Sequence, residues 1–198
     1  MHIVTASRHA ATGQPTTASM TTAQRGAVVV GMTLLVAICA HIALPLPFTP
    51  VPLTLQTFAV LLVGLALGPA AGFATLALYL AEGAAGLPVF NPHGLGGIAQ
   101  LLGPTGGFLL SYPFAAAAAG AVFQHLRRTR SAFTAALLAS VPATLIIFTL
   151  GAGWLAMLTH AGAHTIWTAA VAPFLPGEII KATAAAAAIG GWQRFRRG

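Results

Sequence analysis

The sequence predicts an all-α integral membrane protein: a bundle of six transmembrane helices, both termini cytoplasmic, with long Gly/Pro-rich outer loops. Three observations predict it. Hydrophobic residues make up 57% of the 198 and charged residues 6%, where a soluble domain carries about 25% charged residues. Nine Lys and Arg with two Glu cannot cover a water-facing shell, so the solvent is lipid. Those few charges leave stretches 26–81, 83–126 and 131–177 free of Asp, Glu, Lys and Arg. Each exceeds the roughly 20 apolar residues that one span needs, so each holds more than one. Finally, the arginines come in groups between the apolar runs: Arg8 and Arg25, then Arg127, Arg128 and Arg130, then Arg194, Arg196 and Arg197. Cytoplasmic loops are marked in this way by the positive-inside rule.

Residues 1–25, rich in Ser, Thr and Ala, read as a mobile cytoplasmic tail, and 26–198 as the membrane domain. The first helix is expected over 26–44; at about 19 residues the run is longer than the ~7–15 of a signal-peptide core, so it is read as retained. The segment Pro45-Leu-Pro-Phe-Thr-Pro-Val-Pro52 stops it, since proline lacks an N–H and restricts its neighbour. The second helix, 53–67, ends at Gly68-Pro69, and the third, 70–85, at Gly86-Leu-Pro88. After the Gly-rich stretch 91–107 come helices over 107–126, 132–158 and 168–192. The second and third are short for a full span, which points to tilt or to ends buried in protein. Six spans put all eight arginines on one side, whereas five or seven would send an Arg cluster outside. Small residues at four-residue spacing, such as Ala27/Gly31, Gly64/Gly68 and Ala182/Ala186, suit close helix packing.

The net charge of +7 follows from topology, so no nucleic acid is expected as a partner; the aromatic and polar interleaving of a nucleic-acid face is missing. Cys39 is the lone cysteine, which excludes an internal disulfide and a cysteine-based metal site. No metal, no cofactor and no catalytic residue is expected. The lone lysine, Lys181, follows Ile180, so there is no Gly-Lys-Ser/Thr phosphate loop and no ATPase in this chain. None of the five serines lies in the Gly-x-Ser-Gly setting of a serine intramembrane protease. A proton-coupled carrier using Glu82 or Glu178 is the rival reading, since membrane carboxylates serve as proton relays.

Glu82, Glu178 and Lys181 are the charged residues outside the arginine groups, and ionisable groups at membrane depth are costly and mark function. Glu178 and Lys181 are three apart and share a helix face. Thirteen residues separate Lys181 from Arg194, roughly 20 Å at helical rise, which places the pair in the outer half. Two readings stand. The pair neutralises itself and holds two helices together, or it lines a pocket with a positive and a negative pole, suited to a small molecule carrying a carboxylate at one end and N–H donors at the other. Glu82, one turn after Tyr79, reads equally as a ligand contact or a snorkelling helix end. The outer segments Pro50-Val-Pro-Leu-Thr-Leu-Gln56 and 90–108 are irregular, and such backbone survives near membrane depth where it is buried or lines a cavity. As a lid they would offer Gln56, Asn91 and Thr105 as neutral hydrogen-bonding groups.

Together, Pro50-Val-Pro-Leu-Thr-Leu-Gln56, Gly86-Leu-Pro-Val-Phe90, Gly103-Pro-Thr-Gly-Gly-Phe108 and Phe174-Leu-Pro-Gly-Glu-Ile-Ile-Lys181 resemble the BioY family over about residues 26–192. These are the biotin-specific S components of energy-coupling factor (ECF) transporters. The resemblance implies biotin as the transported ligand. It also implies as partners a transmembrane coupling (T) subunit and two ABC-type ATPase subunits, in the cell inner (plasma) membrane. It further implies that the last motif supplies an acid for the biotin ureido ring and a lysine for the valerate carboxylate, at Glu178 and Lys181. The family usually has Asp where Glu178 stands and often Tyr where Phe108 stands. A homo-oligomer is left open.

Overall fold

The computed structural model describes residues 21–195; the expected tail over 1–20, with Arg8, and the terminal Arg196 and Arg197 lie outside the described residues. Six helices of 12 residues or more correspond to the six expected segments: α1 (Thr22–His41), α2 (Gln56–Leu67), α3 (Pro69–Ala84), α5 (Gly106–Leu126), α6 (Ala132–Thr159) and α8 (Leu175–Phe195). Two short helices stand in the connections, α4 (Gly97–Leu102) and α7 (Ala163–Ala170), the latter followed by a 3-10 turn at Ala172–Phe174. α1, α5 and α6 are long and apolar enough to cross a membrane. Cys39 is buried in α1 as a free thiol.

Helix ends follow the local chemistry. α1 starts four residues earlier than the composition suggests because Thr21 and Gln24 form a capping box: Gln24 N donates to Thr21 Oγ1 at 3.2 Å, and Thr21 N to Gln24 Oε1 at 2.9 Å. Residues 22–25, expected in the tail, are therefore helical. Ser131 caps α6 by accepting from Thr134 N at 3.1 Å. The last helix begins at Leu175 rather than 168, since Pro173 and the 3-10 turn interrupt the apolar run.

The Pro-rich connection after α1 is closed by a two-residue antiparallel ribbon, β1 (Ala43–Leu44) with β2 (Leu53–Thr54). Leu55 N donates to Ile42 O at 3.0 Å and extends the closure to the start of α2.

α2 is the central element, packed by α1, α3, α5 and α8. Eight of its 12 residues are buried, and at about 18 Å it falls well short of a ~30 Å hydrocarbon core. Its lower end is set by Gly68, whose φ of +82° favours glycine, followed by Pro69. A side chain at Gly64 would land on the backbone of Ala116 in α5, so this small residue serves contact within the bundle. α1, by contrast, is exposed along Ala27, Val30, Gly31, Leu34 and Ile38. Gly31 faces no atom within 4 Å.

Gly120 of α5 meets Gly68 and Pro69, and Gly190 of α8 meets Phe133 of α6. The connection carrying Arg127, Arg128 and Arg130, the last turn of α8 with Arg194, and the α2–α3 turn therefore share one end of the bundle. At the opposite end the ribbon, the 85–105 segment and the first turns of α2, α5 and α8 come together.

Candidate functional site

Because α2 stops short, its first residues form the floor of a cavity instead of continuing to the surface. The cavity is partly open and combines apolar walls with a few convergent polar groups, the character of a small-molecule site. Gln56 and Thr57 of α2, Tyr112 and Phe108 of α5, Ile147 of α6, and Glu178 and Lys181 of α8 line its body. Val51, Asn91, Gln100 and Thr105 form the part toward the loops. Asn91, Gln100 and Thr105 also border a second, outer space under the Pro-rich loop, so they stand between the inner chamber and the outside of the protein.

Two of the chain's charges meet in the inner part. Lys181 Nζ lies 2.6 Å from Glu178 Oε1, with the residues 8% and 6% exposed. Thr57 ties both to α2: its hydroxyl donates to Glu178 Oε1 at 2.8 Å and accepts from Lys181 Nζ at 3.0 Å. The shared face expected from the i, i+3 spacing is what makes the pair. The positive and the negative group are in contact, at one place. Of lysine's three N–H donors, two are engaged by Glu178 and Thr57. Glu178 Oε2 is, among the described residues, the buried side-chain oxygen or nitrogen without a hydrogen-bond partner. Buried polar groups are normally satisfied, and an unpaired one costs about 1–3 kcal/mol. This oxygen is therefore an acceptor that an arriving N–H would satisfy.

Gln56 is 4% exposed and its amide is held on both sides. Nε2 donates to Tyr79 Oη at 2.7 Å; Oε1 accepts from Thr54 Oγ1 at 3.4 Å and, at the long distance of 3.5 Å, from Tyr112 Oη. Tyr79, fully buried, donates its own O–H to Val89 O at 2.8 Å. Tyr79 thus does not line the cavity; it fixes Gln56 and anchors the start of the loop. In that loop, Gln100 Nε2 donates to Thr105 Oγ1 at 2.7 Å and Gly96 N to Gln100 Oε1 at 3.4 Å. Trp154 Nε1 binds Gly103 O at 2.9 Å, pinning the loop to α6. Asn91 Oδ1 accepts from His93 N at 3.1 Å, leaving its NH₂ group for a visitor.

Of the residues singled out by sequence, Glu178, Lys181, Gln56, Asn91 and Thr105 come together around the cavity, with Tyr79 behind Gln56. Glu82 does not join them: half-buried on α3, it accepts from Thr33 Oγ1 of α1 at 3.2 Å. Thr57, Tyr112 and Gln100 were missed. Tyr112, one of two tyrosines in the chain, carried the clearest signal, a phenol in a helix otherwise built of small and apolar residues up to Gln124. Thr57 follows Gln56 directly, but nothing local says that it faces α8.

A BioY family model matches residues 12–197. A probable biotin transporter BioY of Pyrococcus horikoshii is 41% identical over 136 residues, 69% of this chain and 76% of that protein. A biotin transporter BioY of Rhodobacter capsulatus is 35% identical over 168 residues, 80% of this chain and 87% of that protein. A crystal structure of the S-component for biotin from an ECF-type ABC transporter has the same fold, with a TM-score of 0.79 and 27% identity. The match covers 91% of this chain and 96% of that one.

Proposed function

The chain belongs to the BioY family, and from that premise we propose that its cavity is the seat of biotin. The protein is a biotin-binding S component of an ECF-type uptake transporter, a multi-pass membrane protein and not an enzyme. The observation that carries the cavity's assignment is the Glu178–Lys181–Thr57 cluster. A charged pair buried among apolar helices contributes little net stability and is replaceable by apolar residues, so a binding role accounts for its presence. Apolar walls from Phe108, Ile147 and Phe174 suit the thiophane ring and its aliphatic arm. Glu178, Lys181, Gln56, Asn91 and Thr105 are the polar groups proposed to meet the ligand. Glu82 has no part in it.

The arginine end of the bundle is read as cytoplasmic, so the cavity opens outward in the inner (plasma) membrane. Biotin enters with high affinity from outside. Release inward is powered by the T subunit and two ATPase subunits with which an S component assembles. Native mass spectrometry of the detergent-purified protein tests the ligand. A retained mass equal to biotin, displaced by added excess of a labelled form, is expected. No retained biotin together with no heat on titration of biotin into ligand-stripped protein overturns the reading.

A further inference from the structure

The arginine end of the bundle carries positive charge that no carboxylate side chain of this protein neutralises. Both of its glutamates are engaged elsewhere, Glu178 with Lys181 and Glu82 with Thr33. Glu82 stands in the last turn of α3, roughly 20 Å from the Pro69 start that belongs to the arginine end. Arg127, Arg128, Arg130 and Arg194 are all exposed. Two of them come together from different elements. Gly190 of α8 packs on Phe133 of α6 so closely that a side chain there would begin 3.4 Å from Phe133 Cβ. Arg194 follows Gly190 by four residues and shares its side of the helix. Arg130 precedes Phe133 by three, held in the turn by its N–H on Leu126 O at 3.0 Å. The two arginines therefore start from adjoining elements just beyond one helix crossing. On the membrane side of that crossing the surface turns apolar and shallow. Phe133 is 38% exposed. Ala187 and Gly191 of α8 are exposed too, and a side chain at Gly191 would meet no atom within 4 Å.

We propose that this junction binds the headgroup of an anionic phospholipid at Arg130 and Arg194, with an acyl chain lying along the apolar strip at Phe133, Ala187 and Gly191. Guanidinium groups take phosphate through paired N–H donors. Exposed arginines in water hold a free phosphate weakly, because solvent and salt screen the attraction. A bilayer instead fixes phosphate at the level of the helix ends and supplies it at high surface density. An acidic protein segment would answer the charges and leave the apolar strip beside them unmatched, whereas a phospholipid answers both. Basic sites between membrane helices on the cytoplasmic side take lipid headgroups in this way, and the arginine end is read as that side. The junction lies at the opposite end from the cavity, so its occupant is independent of biotin.

The test places the full chain in nanodiscs of equal parts dioleoylphosphatidylglycerol and dioleoylphosphatidylcholine, and native mass spectrometry then counts the lipid retained on release. The unaltered protein is expected to keep phosphatidylglycerol in preference to phosphatidylcholine. Arg130→Gln with Arg194→Gln should lower that retention roughly twentyfold, at about fivefold for each arginine near a lipid surface. Its melting temperature should stay unchanged, since both positions are exposed. Phe133→Ala keeps the Cβ that Gly190 touches and every charge, and should still lower retention severalfold. Equal retention of the two lipids by the unaltered protein overturns the proposal, as does a double variant that keeps phosphatidylglycerol like the parent. Displacement of the lipid by millimolar inorganic phosphate overturns it in favour of a soluble anion. A double variant that keeps its lipid but no longer assembles with the other transporter subunits overturns it in favour of a protein partner.

Discussion

Replacing Glu178 and Lys181 together by Leu and Met separates a pocket from a plain ion pair. Both residues are more than 90% buried, and their mutual contact and Thr57 account for their hydrogen bonds. Removing Lys181 alone leaves a carboxylate among Phe, Ile and Tyr side chains with Thr57 as its partner. Breaking one half of a buried pair costs about 3–5 kcal/mol, which for a domain of this size corresponds to a melting temperature lower by roughly 6–20 °C. Removing both partners removes the uncompensated charge, and buried pairs replaced by apolar residues are neutral or stabilising. The double variant should therefore melt at or above the parent. Binding should move the other way. Two hydrogen bonds to charged groups, each about 1.5–3 kcal/mol, correspond to a loss of roughly 10²–10⁴ in biotin affinity. Thermal melting in detergent and isothermal titration on the parent, Lys181→Met and the double variant read both quantities. A double variant that melts normally and still binds biotin like the parent would refute the reasoning, because the pair would then be structural and no more.

Two further outcomes follow from packing. Tyr79→Phe deletes the bonds to Gln56 and Val89 without changing shape. It should lower stability by about 1–3 kcal/mol and weaken biotin binding severalfold, read by melting and titration; an unchanged affinity would mean that Gln56 needs no fixing. Gly64→Leu drives a side chain into Ala116 of α5 and should cost ~3 kcal/mol or more in stability. Gly31→Leu meets no atom of the chain and should leave melting and biotin binding intact while uptake by cells with the full transporter falls, as expected if the exposed small-residue face of α1 packs on the T subunit.

The helices were legible because the signals that end them are local. Pro45, Gly68-Pro69 and Gly86 act through their own dihedrals and missing N–H groups, and the structure stops α1, α2 and α3 within a few residues of each. The ribbon was not legible: two residues a side carry no period, and their pairing across the loop depends on contacts distant in sequence. The eight-residue α7 was merged into the approach to the last helix, since an apolar run alone does not reveal the break at Val171. Among site residues, charges announced themselves by their cost in lipid. Neutral groups were partly visible: Gln56, Asn91 and Thr105 stood out within irregular segments, whereas Thr57 and Tyr112 sit inside helices. Glu82 shows the limit of one-turn reasoning. Three residues along a helix is a rotation of about 300°, so Glu82 points about 60° away from Tyr79, enough to reach Thr33 on α1 while Tyr79 faces Gln56 on α2.

The cavity and its chemistry have a common origin in the length of α2. A helix of about 18 Å in a ~30 Å layer leaves its first N–H groups inside the protein, where no lipid can satisfy them. The residues around that end are correspondingly polar: Thr54 Oγ1 accepts from Gln56 N at 3.3 Å, and Ile42 O from Leu55 N at 3.0 Å. Gln56 and Thr57 then extend the polar region sideways to Tyr79 and to the Glu178–Lys181 pair. An apolar cap on the same helix end would have left the orphan donors unmet, and a full-length α2 would have filled the chamber. Stopping the central helix early therefore opens the space a ligand needs, and also requires the hydrogen-bonding groups that can recognise one. In this chain the proposed binding site is the solution to a helix end placed at membrane depth.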